Sequence, residues 1–138
     1  MKVLVDTSVL SLALRRPVGV AHGDPQKKVV SALSDLVQDG RVVLLGAIRQ
    51  ELLSGIKLQE QFDALQSALA AFDDVPLVMQ DYARAAQFFN LCRANGVQGS
   101  NTDFLICAAA ANHDLPIFTL DQDFENYKKW LPIRLFPV

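Results

Sequence analysis

Asp6, Glu51, Asp103 and Asp121 lie far apart along this chain, yet each stands beside an apolar segment. "KVLVDTSVL" ends a hydrophobic run on Asp6, and "PIFTLDQDF" ends another on Asp121. "AIRQELLSGI" carries Glu51 on the edge of an apolar helical stripe, and "SNTDFLICAAAA" sets Asp103 in the first turn of a small-residue helix. Two carboxylates ~5 Å apart at an effective dielectric of ~20 repel by roughly 3 kcal/mol. Four gathered in one pocket would oppose a sizeable share of a typical stability of ~5–15 kcal/mol. Either a cation holds them together or a raised pKa keeps a proton on one of them. All-oxygen ligands and only two histidines favour a hard ion, Mg²⁺ or Mn²⁺, over Zn²⁺.

Each acid also has a plainer role. Asp6 could polarise the helix after it, and Ser100 with Asp103 has the spacing of a capping box. Glu51 could be an ordinary exposed glutamate, while Asp121 and Asp123 could initiate a turn. Against four separate plain roles stands the common setting: all four adjoin expected core, and Asp6 and Asp121 both end strands.

The elements that must position these acids follow from hydrophobic periodicity. A strand at 2–5 leads into a helix at 7–14, and "RRPVGVAHGDP" makes residues 15–25 a loop. Val29, Val30, Leu33, Leu36 and Val37 give a helix over 26–38, stopped at Gly40 before a strand at 41–45. Helices at 47–54, ended by Gly55, and at 58–71 precede a weak edge strand at 75–78, which contains Pro76. Helices at 80–95 and 102–112 follow, then the strand "PIFTL", the helical turn "FENYKKWL" and a last strand "IRLFP". Alternating strands and helices imply an α/β fold of parallel units with helices on both faces of the sheet. Sites in such sheets form at the carboxyl ends of strands, where Asp6 and Asp121 are expected.

Composition bounds the rest. A chain of 138 residues with 51% apolar content suits one domain, residues 1–138, with a continuous core. No segment reads as a membrane span or a secretion signal. Cys92 and Cys107 lack metal-type spacing and read as core residues in a reducing compartment, so a cytoplasmic location is expected. The net charge of −2 looks wrong for a nucleic-acid binder, but without the four acids 13 basic residues face 11 acidic ones. The remaining surface can therefore tolerate phosphates.

"VLVDTSVL", "AIRQELLSG", "NTDFLICAAAA" and "IFTLDQDF", in this order and spacing, resemble the acidic motifs of PIN-domain ribonucleases, most of all the VapC-type toxins of bacterial and archaeal toxin–antitoxin pairs. The resemblance runs from residue 2 to about 136. It implies a three-layer α/β/α PIN-like domain with a central, mostly parallel sheet of four or five strands. It places the catalytic, metal-holding acids on Asp6, Glu51, Asp103 and Asp121, with Asp123 as a substitute or fifth member. The hydroxyl that follows the first acid falls on Thr7 or Ser8 and another on Thr119, as donors that orient the carboxylates. Where the family often has Ser or Thr a few residues before the helical Glu, this chain has Gly46.

The implied activity is RNA phosphodiester hydrolysis by a water activated on Mg²⁺ or Mn²⁺, with tRNA or rRNA as substrate. The implied partners are an antitoxin protein, which could offer an arginine to the acids, and a second copy of the chain, held through the 58–71 and 80–95 helices. Arg15, Arg16, Lys27, Lys28 and Arg49 are candidates for the RNA backbone, each with a solvated surface as the plain alternative. His22 is expected in solvent and His113 at its helix C-terminus. Beside the basic pair Lys128 and Lys129, Trp130 reads as core or dimer packing. Two other readings stay open: a housekeeping RNA-processing nuclease of the same fold, and a noncatalytic module whose acids hold a structural ion.

Overall fold

The computed structural model describes residues 1–14 and 24–138. Among them the chain runs β1 (Val3–Val5), α1 (Thr7–Leu14), α2 (Asp24–Gln38), β2 (Val42–Leu44), α3 (Gly46–Leu53), α4 (Gln59–Leu69), β3 (Asp73–Asp74), α5 (Met79–Ala94), α6 (Asn101–His113), β4 (Ile117–Phe118) and α7 (Asp123–Tyr127). The four strands form one sheet in the order β3-β2-β1-β4, and every pairing is parallel. Val3, Leu4 and Val5 are all completely buried. Because successive side chains of a strand point to opposite faces, both faces of the sheet are covered. Burying each of these side chains contributes about 1.5–3 kcal/mol.

Two expected strands change. The segment at 75–78 does not pair; β3 lies two residues upstream at Asp73–Asp74, aligned with Val43 and Leu44. Pairing stops after the Val75 N–H reaches the Leu44 carbonyl at 2.8 Å, since Pro76 next in line has no N–H to donate. "IRLFP" contributes only a parallel bridge of Leu135 with Ile117, so the sheet has four strands with a trailing fifth contact. Helix α2 starts at Asp24 instead of 26 because Pro25 falls in the first turn, where its missing N–H has no bond to lose. Gly40 does stop this helix: it adopts φ 66°, and the Arg41 N–H turns back to the Leu36 carbonyl.

The strand order decides where a site can form. From β1 the chain moves to β2 and β3 on one side, then crosses to β4 on the other side of β1. The connections leaving β1 and β4 therefore diverge, and a crevice opens at their carboxyl ends. Asp6 directly follows β1, and Thr119 directly follows β4. Helix α6, whose Phe104 and Ile106–Ala110 are buried, packs against α5.

Candidate active site

Asp6 is fixed by its backbone before its side chain is considered. Its N–H donates to the Phe118 carbonyl at 2.9 Å, and its own carbonyl accepts from Val9 and Leu10 in the first turn of α1. The residue is only 7% exposed. Its Oδ2 accepts two hydroxyls, Ser8 Oγ at 2.9 Å and Thr119 Oγ1 at 2.8 Å. Each hydroxyl accepts in turn a backbone N–H, Leu120 onto Ser8 at 2.9 Å and Asp121 onto Thr119 at 3.0 Å. With their acceptor sides occupied, both hydroxyls direct their single proton at one oxygen of Asp6. The other oxygen, Oδ1, has no hydrogen-bond partner among the described residues and is free for a cation.

Asp103 stands in the first turn of α6. Ser100 caps that helix by accepting the Asp103 N–H at 3.1 Å, which is half of the expected capping box. The other half is absent: instead of returning to the cap, the Asp103 carboxylate accepts the Tyr127 hydroxyl at 2.7 Å on Oδ2. Its pKa is raised, chiefly by burial and further by the charges of Asp121 and Asp6, against the lowering effect of the Tyr127 bond. Such a carboxylate gains from a nearby cation.

One oxygen each from Asp103, Asp121 and Asp123 lies within 4.8 Å of the others. That separation is close to the span of two ion–oxygen bonds of ~2.1–2.5 Å. The loop is ordered from within, as Asp121 Oδ1 accepts the Asp123 N–H at 2.9 Å. Asp121 and Asp123 therefore both belong to the cluster, with Asp6 near enough to bear on Asp103. Glu51 is the outlier. It is exposed on α3 and is tied in through Thr7, whose Oγ1 donates to Oε2 at 3.3 Å. The residues fit a hard divalent ion, since every donor is a carboxylate oxygen and Asp6 keeps a nearly buried oxygen unpartnered.

The basic candidates fare differently. Arg49 does not face a substrate: its guanidinium donates to the carbonyls of Leu69 at 2.7 Å and Phe72 at 3.0 Å and pairs with Asp74 at 2.7 Å. Those groups consume its fork in tying α3 to β3. Lys27 and Lys28 are exposed on α2 beside Val138. Arg15, Arg16 and His22 lie outside the described residues. His113 meets Asp81 of α5 at 3.5 Å, not only its own helix end, and Lys128 pairs with Glu125. Trp130 is 45% exposed, short of the core position considered for it.

Tyr127 is the site residue that the sequence reading missed. Its place four residues after Asp123 puts it on the same face of α7 as that acid, but no local spacing carries its contact with Asp103.

The model of the PIN domain family matches residues 3–129. Among solved structures, FitAcB from Neisseria gonorrhoeae aligns with a TM-score of 0.74 at 24% identity, over 98% of this chain and 96% of that one. VapBC2 from Rickettsia felis, bound to a DNA fragment from its promoter, aligns with a TM-score of 0.75 at 15% identity, over 99% and 98%. VapBC-5 from Mycobacterium tuberculosis, a member of the VapBC family of toxin–antitoxin systems, aligns with a TM-score of 0.69 at 21% identity, over 99% and 98%. No curated protein matches the chain by sequence.

Proposed function

This chain belongs to the PIN domain family, and on that premise we propose that it is a Mg²⁺- or Mn²⁺-dependent endoribonuclease, the toxin of a toxin–antitoxin pair. One observation carries the reading: Asp103, Asp121 and Asp123 converge beside a nearly buried Asp6 at the switch point of a parallel sheet. When bound, the ion supplies positive charge at the scissile phosphate and a water of lowered pKa. Asp6, Asp103, Asp121 and Asp123 would hold it, with Glu51 at the rim. Ser8 and Thr119 fix the rotation of Asp6, and Thr7 does the same for Glu51.

The toxin role is supported by full-length likeness to VapBC2, bound to a fragment of its promoter DNA, and to VapBC-5, a member of a family of toxin–antitoxin systems. The partners follow as part of the proposal: an RNA substrate, an antitoxin, and a second copy of this chain. For the last, Tyr82 and Phe89 of α5 and Leu105 of α6 line a hollow of about 420 Å³, at which Tyr82 is 56% exposed. Among the described residues no helix is long and apolar enough to cross a membrane.

Purified protein incubated with a structured RNA should cut it in Mg²⁺ and not in EDTA, and Asp103→Asn should abolish the cutting. Inducing the chain alone should arrest growth, and co-expression of the adjacent small gene should restore it. RNA left intact by a well-folded, metal-loaded wild type would end the nuclease reading. Normal growth on induction would remove the toxin role and leave the nuclease.

A further inference from the structure

We infer that Tyr127 is a positioning residue that sets the rotation of the Asp103 carboxylate towards the ion, and that Gly99 is a glycine because Tyr127 occupies the space of its side chain. This rests on the metal-binding reading above.

Tyr127 is completely buried. A phenol there needs a hydrogen-bond partner, because an unpaired buried hydroxyl costs about 1–3 kcal/mol. The acceptor is Oδ2 of Asp103, at 2.7 Å. Its ring is held by Phe104, centroids 5.0 Å apart, and by Phe124 at 5.1 Å. Phe104 belongs to α6, next in sequence to Asp103, so the same helix carries both the wall of the slot and the carboxylate in it.

The remaining wall is backbone. A Cβ at Gly99 would press on the Tyr127 hydroxyl and lie 2.8 Å from its Cζ, closer than real Cβ atoms come, with Cε2 of Phe104 tight against it at 3.0 Å. Gly99 does not have a positive φ, so its backbone conformation does not require glycine. The neighbour does. Confined on all three sides, the hydroxyl is held at one oxygen of Asp103. The other oxygen, without a hydrogen-bond partner among the described residues, is left for the ion.

Tyr82 and Tyr127 are the only tyrosines of the chain, and Tyr82 is 56% exposed. Protein carrying ¹³Cζ-tyrosine therefore gives two resonances, assigned by the loss of one in Tyr82→Phe. On titration of the wild type with Mg²⁺, the Tyr127 resonance should move along the binding curve measured by calorimetry, while Tyr82 stays in place. In Tyr127→Phe and in Gly99→Ala, Mn²⁺ affinity should fall by about 10–100-fold, the usual effect of losing a group that orients a ligand. The metal-free melting temperature of Tyr127→Phe should stay within a few degrees of wild type. Mg²⁺ binding with a stationary Tyr127 resonance overturns the inference even if neither variant folds, and so does wild-type Mn²⁺ affinity in both variants. A wild type that binds neither ion brings down the nuclease reading and this inference together.

Discussion

Asp6 receives two hydroxyl protons on Oδ2, and the consequence is an asymmetric carboxylate whose other oxygen is the one presented to an ion. Asp6→Asn can keep the hydroxyl bonds on its amide oxygen, but it then turns an NH₂ group towards the cation. Mn²⁺ affinity should fall by more than the ~10–100-fold typical of losing a supporting group, and RNA cleavage with it. Melting in EDTA should be unchanged or higher. A sharp loss of stability in EDTA would mean that the acid is structural. Asp121 and Asp123 call for separate substitution, because Asp121 holds the N–H of Asp123 as well as facing Asp103. Asp121→Asn should therefore weaken Mn²⁺ binding more than Asp123→Asn does, which calorimetry on the two variants would resolve. Asp6 and Asp121 were legible in the sequence because each ends an apolar run, and a strand-end acid in an α/β chain has few places to go. Tyr127 was not, since its role depends on α7 folding back over the start of α6, a contact between residues 24 apart that no local pattern encodes.

At the scale of elements, the structure puts two charged groups, Arg49 and Asp81, to structural use. Arg49 binds two carbonyls at the end of α4 and the Asp74 carboxylate of β3. A partly exposed ion pair alone is worth ~0–1 kcal/mol, but losing the carbonyl bonds as well should bring Arg49→Met to roughly 1–3 kcal/mol. That corresponds to about 4–12 °C in melting temperature at ~4 °C per kcal/mol, with metal-dependent cleavage per folded molecule unchanged. A selective loss of RNA affinity would restore Arg49 to the substrate surface. Asp81 joins α5 to α6: it is 2% exposed and accepts from the Val78 N–H at 2.9 Å and Asn112 Nδ2 at 2.7 Å. Burial opposes its charge, but those bonds and nearby His113 outweigh it and lower the pKa. A depressed carboxylate contributes stability above its unfolded pKa of 3.8 and loses it as pH falls through the lower folded value. Acid unfolding of the wild type below about pH 4 should thus be steeper than that of Asp81→Asn, while at neutral pH the variant should be the less stable. Parallel acid profiles would dismiss Asp81 as the titrating clasp. None of this is visible in "MQDYARAAQ" or "AAANHD", which show only the start of one helix and the end of an alanine-rich one.

For the molecule as a whole, most of the architecture could be read from periodicity because its strands are short, apolar and separated by helices with clear stops. Two of the boundaries that moved did so where proline changed the backbone's donors, at Pro25 and Pro76. The all-parallel order β3-β2-β1-β4 could not be read, since it depends on which side of β1 the last strand chooses, and that choice creates the crevice beneath the acids. Gathering carboxylates there places like charges on a fold that must hold without an ion whenever metal is scarce. Burial and the neighbouring acids already raise the Asp103 pKa, so carrying a charge costs it more than it costs a free carboxyl group. An ion that binds the folded state alone adds RT ln(1 + [L]/Kd), about 2.7 kcal/mol at a hundredfold excess over Kd. In a chain of this size that is a rise of about 10 °C in melting temperature. Scanning fluorimetry of the wild type should show such a rise with Mn²⁺ over EDTA. Asp103→Asn, relieved of the repulsion but short of a ligand, should melt at or above the wild type in EDTA and gain only a small fraction of the rise. If Mn²⁺ raised the melting of both proteins equally, the ion would be binding elsewhere, and the acids at the switch point would not form a shared site.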